Sequence, residues 1–366
     1  TEIYTLSLHD ALPISGSAMT WHEEILAPEP LAFLTPDGTD AVEQIRRQGA
    51  SWEHHLRLDL PRYSLLSLEK RRHPRPPVQF QPGDTVRSAG ASLQFANGIL
   101  DFTPATGPRL QIALPSFQIC VKHLDAVLRD PRPESPWRTS VLPGTHPRLV
   151  AERQLDYHIH FRAEYTLDGN QLFADWRFHF TAPTLIDSLD DEASWKRTDF
   201  TPGGLRAEVF LDQPGEVQYD IPFGMVRHPN PAPSFVAPLT HALLQAATGG
   251  AALVSRSGSQ SFAVAAADGK IAVCMGKSIT SGGRRKLSFR IGDTITDFQH
   301  ETEWYKEFFY GELRHRFVVL PYAGNWQSQA LPTRCRALAT GPRQLESAAL
   351  VPGLRTLAKL TPEHVH

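Results

Sequence analysis

Three histidines in one short stretch are the first residues whose type and spacing could do chemistry. His158, His160 and His179 flank an Asp168-Gly169 pair, and imidazoles on neighbouring strands can hold zinc. A two-residue turn at Asp168-Gly169 sets His158 opposite His179, Phe161 opposite Trp176 and Arg162 opposite Asp175. The same residues also make a solvated polar face carrying an Arg162–Asp175 pair, and no third ligand follows at a fixed spacing. Asp187, Asp190, Asp191 and Glu192 form an acidic cluster. Paired carboxylates suit glycoside chemistry, but nothing marks any of these as a tuned acid, and a Ser/Thr-rich surface loop is the plainer account of the cluster. Trp304, Tyr305, Phe308, Phe309, Tyr310 and Trp326 gather late in the chain. Such rings either stack on sugars or pack a core; Tyr322 and Trp326 are the two expected to contact carbohydrate.

Much chemistry is missing from the motifs. There is no GxSxG elbow, P-loop, GxGxxG after a strand, or HExxH. His22-Glu23-Glu24 and His300-Glu301-Thr302-Glu303 each lack a second His at the required spacing. Cys120, Cys274 and Cys335 are widely separated, so neither a disulfide framework nor a thiolate zinc site is expected. No catalytic residue and no metal ligand set is assigned within the chain.

The elements that would position these residues read as strands. Around Asp168-Gly169, Tyr157, Ile159, Phe161, Ala163 and Tyr165 alternate with polar residues, as do Leu172, Ala174, Trp176, Phe178 and Phe180. Period 2 on both sides of a turn predicts a hairpin with one aromatic, buried face, and a one-residue slip would bury its charges. At least fourteen strands are expected along the chain, with His123–Arg129 and Pro238–Ala247 as short helices. No repeat of 20–50 residues appears, which disfavours propellers and solenoids. The 366 residues carry 37 Lys+Arg against 39 Asp+Glu, a net charge of −2. That balance argues against a nucleic-acid partner, and no apolar run is long enough for a membrane span. Thirty prolines and 25 glycines fit a turn-rich β-protein.

Thr1–Ser15 (TEIYTLSLHDALPIS) resembles translated sequencing-adapter read-through. It is expected to lie outside the fold, as an artefact at the end of a truncated gene. The expected organisation is then a small β domain over 16–70, a Pro- and Arg-rich linker over 71–83, and a large β-supersandwich over 84–366, subdivided near 231.

Four ordered segments resemble the C-terminal β-region of glycoside hydrolase family 38, the α-mannosidases. They are LAFLTPDGTDAVEQIRRQGASWEHHLRLDLPRYSLLSLE (Leu31–Glu69), ASLQFANGILDFTPATG (Ala91–Gly107), YDIPFGMVRHPNP (Tyr219–Pro231) and LRHRFVVLPYAGNW (Leu313–Trp326). In the first, Asp37, Gly38, Gln44, Pro61 and Tyr63 occupy the family's places. The resemblance implies an all-β, antiparallel supersandwich of galactose-mutarotase type, preceded by a small β-sandwich and carrying few short helices. It also implies that the nucleophilic Asp, the acid/base residue and the zinc ligands belong to an N-terminal catalytic domain absent from this chain. The fragment then has no cofactor of its own. Its partners are that domain and a mannose-containing glycan, and Arg227 matches the position that can approach substrate.

Two rival readings stay open: a stand-alone carbohydrate-binding sandwich, and a mutarotase or polysaccharide lyase using His158/Glu164 or His179/Tyr157. The compartment is open in the sequence, with a soluble, cytoplasmic bacterial setting expected.

Overall fold

A computed structural model of the chain describes residues 3–7, 19–60, 65–72, 79–120, 128–186, 205–221, 224–227, 235–236, 238, 240–256, 263–267, 270–276, 280–281, 284–291, 294–301, 305–306, 309–329, 331–340 and 343–345. Among them the protein is all-β, with a single α-helix, Leu331–Thr340, and a 3₁₀ turn, Trp326–Gln329. No helix among the described residues is long and apolar enough to cross a membrane.

The chain divides into two units: Thr1–Gln81 with Trp326–His366, and Pro82–Asn325. The second unit is an antiparallel sandwich. One sheet has eight strands, running from Phe235–Val236 through Ala263–Ala267, Lys270–Gly276, Leu205–Leu211, Leu110–Ser116, Ile99–Thr103 and Ala91–Ala96 to Thr85–Ser88. The other has ten, in the order Gly224–Arg227, Glu216–Ile221, His241–Ala246, Gly249–Ser255, Phe309–Ala323, Gln171–Thr184, Ile159–Asp168, Arg148–Asp156, Arg138–Leu142 and Gln81–Pro82. Alternation decides what lies between them. Leu93, Phe95, Leu100, Phe102, Leu110 and Ile112 from the first sheet share one core with Phe161, Tyr165, Trp176, Phe178, Leu244 and Phe317 from the second.

Edge-to-face rings run through that core. Phe95 meets Trp137 at 5.3 Å, Phe161 meets Trp176 at 5.9 Å, and Trp176 meets Phe317 at 4.9 Å between centroids. The Trp176 indole N–H donates to the Tyr165 hydroxyl at 3.1 Å, so neither polar tip is stranded. Burial pushes the Tyr165 phenol up, and it stays neutral.

The first unit holds two smaller sheets. Ser51–Leu60 lies between Met19–Ala27 and Val42–Gln48, and a four-stranded sheet runs Leu31–Leu34, Leu65–Arg72, Ile3–Ser7, Arg343–Leu345. Trp21, Phe33, Val42, Ile45, Leu56, Leu58 and Leu68 form its core.

Several expectations are corrected. The C-terminal segment from Trp326 groups with the first unit instead of extending the large sandwich. The cause is local: Leu331, Cys335 and Leu338, spaced on one face of the helix, are buried, and Arg343–Leu345 pairs with Ile3–Ser7. That pairing also places part of the adapter-like segment in a strand; the remainder of Thr1–Ser15 lies outside the described residues. No boundary falls near 231, because Glu216–Ile221 and His241–Ala246 pair in one sheet across it. Arg71 and Arg72 end the strand Leu65–Arg72, on Glu69 and Glu29, instead of opening a linker.

The helix expected over Pro238–Ala247 is the strand His241–Ala246. Ala242, Leu244 and Ala246 face the core while Leu243 is buried on the other side. A strand covered on both faces shows an unbroken apolar run, whose periodicity does not separate it from a helix. Of His123–Arg129, the described Leu128–Arg129 is a short strand.

Candidate functional site

The hairpin is present with a shifted turn. Asp168 pairs with Gln171 around Gly169-Asn170, so Phe161 faces Phe178 and Arg162 faces Arg177. Gly169 takes φ +57°, and Asn170 is tied to Thr106 by hydrogen bonds of 2.9, 2.9 and 3.2 Å. Those bonds fix Asn170 in the turn, one place later than the Asp-Gly signal implies. The shift changes partners without changing faces.

Cross-strand register orders the outer face of the ten-stranded sheet into rows. Arg162, Arg177 and Arg314 stand side by side on three strands. Three like charges in a row are held by carboxylates one row over. Asp175 accepts from Arg314 at 2.5 and 2.9 Å and from Arg177 at 3.1 Å. Glu164 accepts from Arg148 at 3.0 Å and from Arg162 at 3.2 Å. Burial raises the Asp175 carboxyl, but Arg314 and Arg177 outweigh it and hold it low. The expected Arg162–Asp175 pair therefore gives way to Arg314, which comes from a strand 139 residues away.

On the other side of the arginines, His160 faces His179, which faces Glu312. His158 instead lies near Thr181, its Nδ1 3.3 Å from the Thr181 hydroxyl. The expected His158–His179 pair is not formed. Glu164 is engaged by two arginines, which leaves the His158/Glu164 pair without its acid. Burial pushes the His160 imidazole down.

Arg227 and Tyr322 fall on this same outer face. Tyr322, Gly250, Gln245 and Glu216 are successive cross-strand partners, and Arg227 pairs with Glu216. Tyr322 is 2% exposed, and its hydroxyl donates to Gln245 Oε1 at 3.0 Å. Gly250 makes room for it: a Cβ there would lie 2.7 Å from the Tyr322 Cζ. The ring has no free face, which corrects the expectation that Tyr322 stacks on sugar. Arg227 is exposed on the edge strand Gly224–Arg227, where it pairs with Glu216. Trp326 opens the 3₁₀ turn, half-buried, in the first unit. Trp304, Phe308 and the acidic cluster at Asp187–Glu192 lie outside the described residues.

Two buried carboxylate–imidazole pairs escaped the sequence reading. In the second unit, Asp220 accepts from the Thr240 and His241 amides at 2.9 and 3.0 Å and from the Thr240 hydroxyl at 2.5 Å. His241 Nδ1 lies 3.2 Å from Asp220 Oδ2, the oxygen that accepts from the Thr240 hydroxyl. Burial raises the Asp220 carboxyl, but His241 and Thr240 outweigh it and hold it at about 2. In the first unit, Glu53 lies 2.5 Å from Arg46 and 2.7 Å from His55 Nε2. Burial again works to raise Glu53, and His55 and Arg46 hold it at about 2. The only cue in sequence was the alternation of Glu53 and His55 with Trp52, His54 and Leu56, which puts them on the face opposite the core.

No family model matches the sequence, and no curated protein matches it. The fold is similar to that of two solved structures. One is a glycosyl hydrolase family 38 protein from Enterococcus faecalis: TM-score 0.52, 10% identity, 94% of this chain and 47% of that chain. Another is an alpha-mannosidase from Enterococcus faecalis V583: TM-score 0.51, 10% identity, 94% of this chain and 46% of that chain. The chain spans about half the length of each.

Proposed function

We propose that this chain is the C-terminal, non-catalytic β-sandwich part of an α-mannosidase-like retaining glycoside hydrolase. It would buttress a catalytic domain and help bound a cleft for a mannose-containing glycan. The observation that carries this reading is coverage: almost all of this chain matches about half of each neighbour. The chemistry then rests with the other half, where a carboxylate attacks the anomeric carbon and a metal orients sugar hydroxyls. Arg227 is this chain's contribution at the cleft, since it alone of the expected sugar contacts is exposed and charged.

Hydrolysis of an aryl α-mannoside by the purified chain, with and without added zinc, tests the non-catalytic role. No turnover is expected, and zinc-dependent turnover overturns it. Glycan-array binding by the chain alone, abolished by Trp326→Ala, would instead mark a free-standing carbohydrate-binding module.

A further inference from the structure

We propose that Glu24, Glu53 and His55 form a divalent-cation site in the first unit, separate from any metal of a catalytic domain. Their ligand atoms lie within 4.8 Å of one another. Zinc bonds to carboxylate oxygen and imidazole nitrogen are about 2.0–2.2 Å long, so donors sit roughly 3–4 Å apart around the ion. Small side-chain rotations bring this group to that spacing.

The placement is built by the sheet. His55 sits opposite Glu24 in the ladder between Ser51–Leu60 and Met19–Ala27. Glu53 lies two residues before His55, on the same face. Leu56, Leu58 and Trp21 occupy the opposite, core-facing side. Glu53 and His55 are buried and Glu24 is half-buried. Three protein ligands leave the fourth position of a tetrahedral ion to water or another ligand. Mixed carboxylate and imidazole donors suit Zn²⁺ or Mn²⁺.

The donors already converge: His55 Nε2 lies 2.7 Å from Glu53. On metal binding any proton on Nε2 leaves to solvent, and the nitrogen lone pair takes the ion. Arg46 remains on Glu53 and weakens the site without blocking it.

The test is titration of the tag-free full chain with ZnCl₂ and MnCl₂ by calorimetry, with Co²⁺ absorption as a spectroscopic check. One ion per chain is expected. Glu24→Gln and His55→Gln should each weaken uptake by at least about tenfold, and Arg46→Gln should tighten it. Absence of saturable one-to-one uptake, or uptake unchanged by both Glu24→Gln and His55→Gln in folded protein, overturns the site. Because Glu24 is only half-buried, its variant keeps the test valid even where His55→Gln does not fold.

Discussion

In the large sandwich, charged residues stand on the outer sheet face in rows, and Asp175 and Glu164 are each shared between two arginines. Between its sheets lie Phe161, Trp176, Phe178 and Phe317, with no ion among them. In the small sandwich the core is a handful of residues, and the opposite sheet face buries Glu53 and His55 as well. Both units bury paired charges: Asp220 with His241 and Arg148 with Glu164 in the large one, Glu53 beside Arg46 and His55 in the small one. What differs is the apolar core beside them. A small unit has fewer apolar side chains to hide, so losing one partner of a buried pair takes a larger share of its stability.

That contrast can be broken or sharpened by experiment. The largest effect should come from Trp176→Ala, which removes the ring at the centre of the aromatic chain. A loss of about 3–5 kcal/mol in denaturant unfolding of the large unit is expected, and a loss near zero would refute the packing account. Glu53→Gln strands Arg46 and His55 in a buried site and should cost about 3 kcal/mol. Hydrogen exchange read by peptide should then rise across 19–60 and not across 148–184; an equal rise in both would erase the contrast.

Acid comes next. Glu53 is depressed from 4.5 to about 2, and Asp220 from 3.8 to about 2. Each contributes stability above its unfolded value that is lost as pH falls through the folded one. Stability measured by denaturant unfolding should fall in both units between roughly pH 5 and 2, the window these shifts set. Glu53→Gln should flatten the response of the small unit alone. Arg227→Ala should do least, within about 0.5 kcal/mol, because its pair with Glu216 is solvent-exposed. A larger loss would mean that Arg227 holds the edge strand in place instead of standing free for ligand.

Alternation made the sandwich readable. The period-2 pattern through Tyr165 and Trp176 marks the buried face whatever the turn, so the aromatic core was legible even with the partners shifted. The turn itself was not, because the Asn170–Thr106 bonds join positions 64 residues apart. His241–Ala246 was read as a helix because both of its faces are covered. Of the site residues, Arg227 entered through the resemblance and lies exposed on an edge strand. Tyr322 was misjudged because its burial depends on Gly250, a cross-strand neighbour that spacing along the chain does not reveal. The Glu24–His55 apposition is likewise a matter of register between strands. Local sequence could show that both residues avoid the core, but not that they meet.

The first unit is discontinuous in sequence, made from residues before Pro82 and after Asn325. During synthesis its early strands leave the ribosome long before the helix Leu331–Thr340 and the strand Arg343–Leu345 that complete it. The intervening sandwich, whose strands are all in hand by Asn325, has its whole sequence first. The unit that begins the chain is therefore the one that must finish folding last, with its apolar strands waiting for a tail about 240 residues downstream.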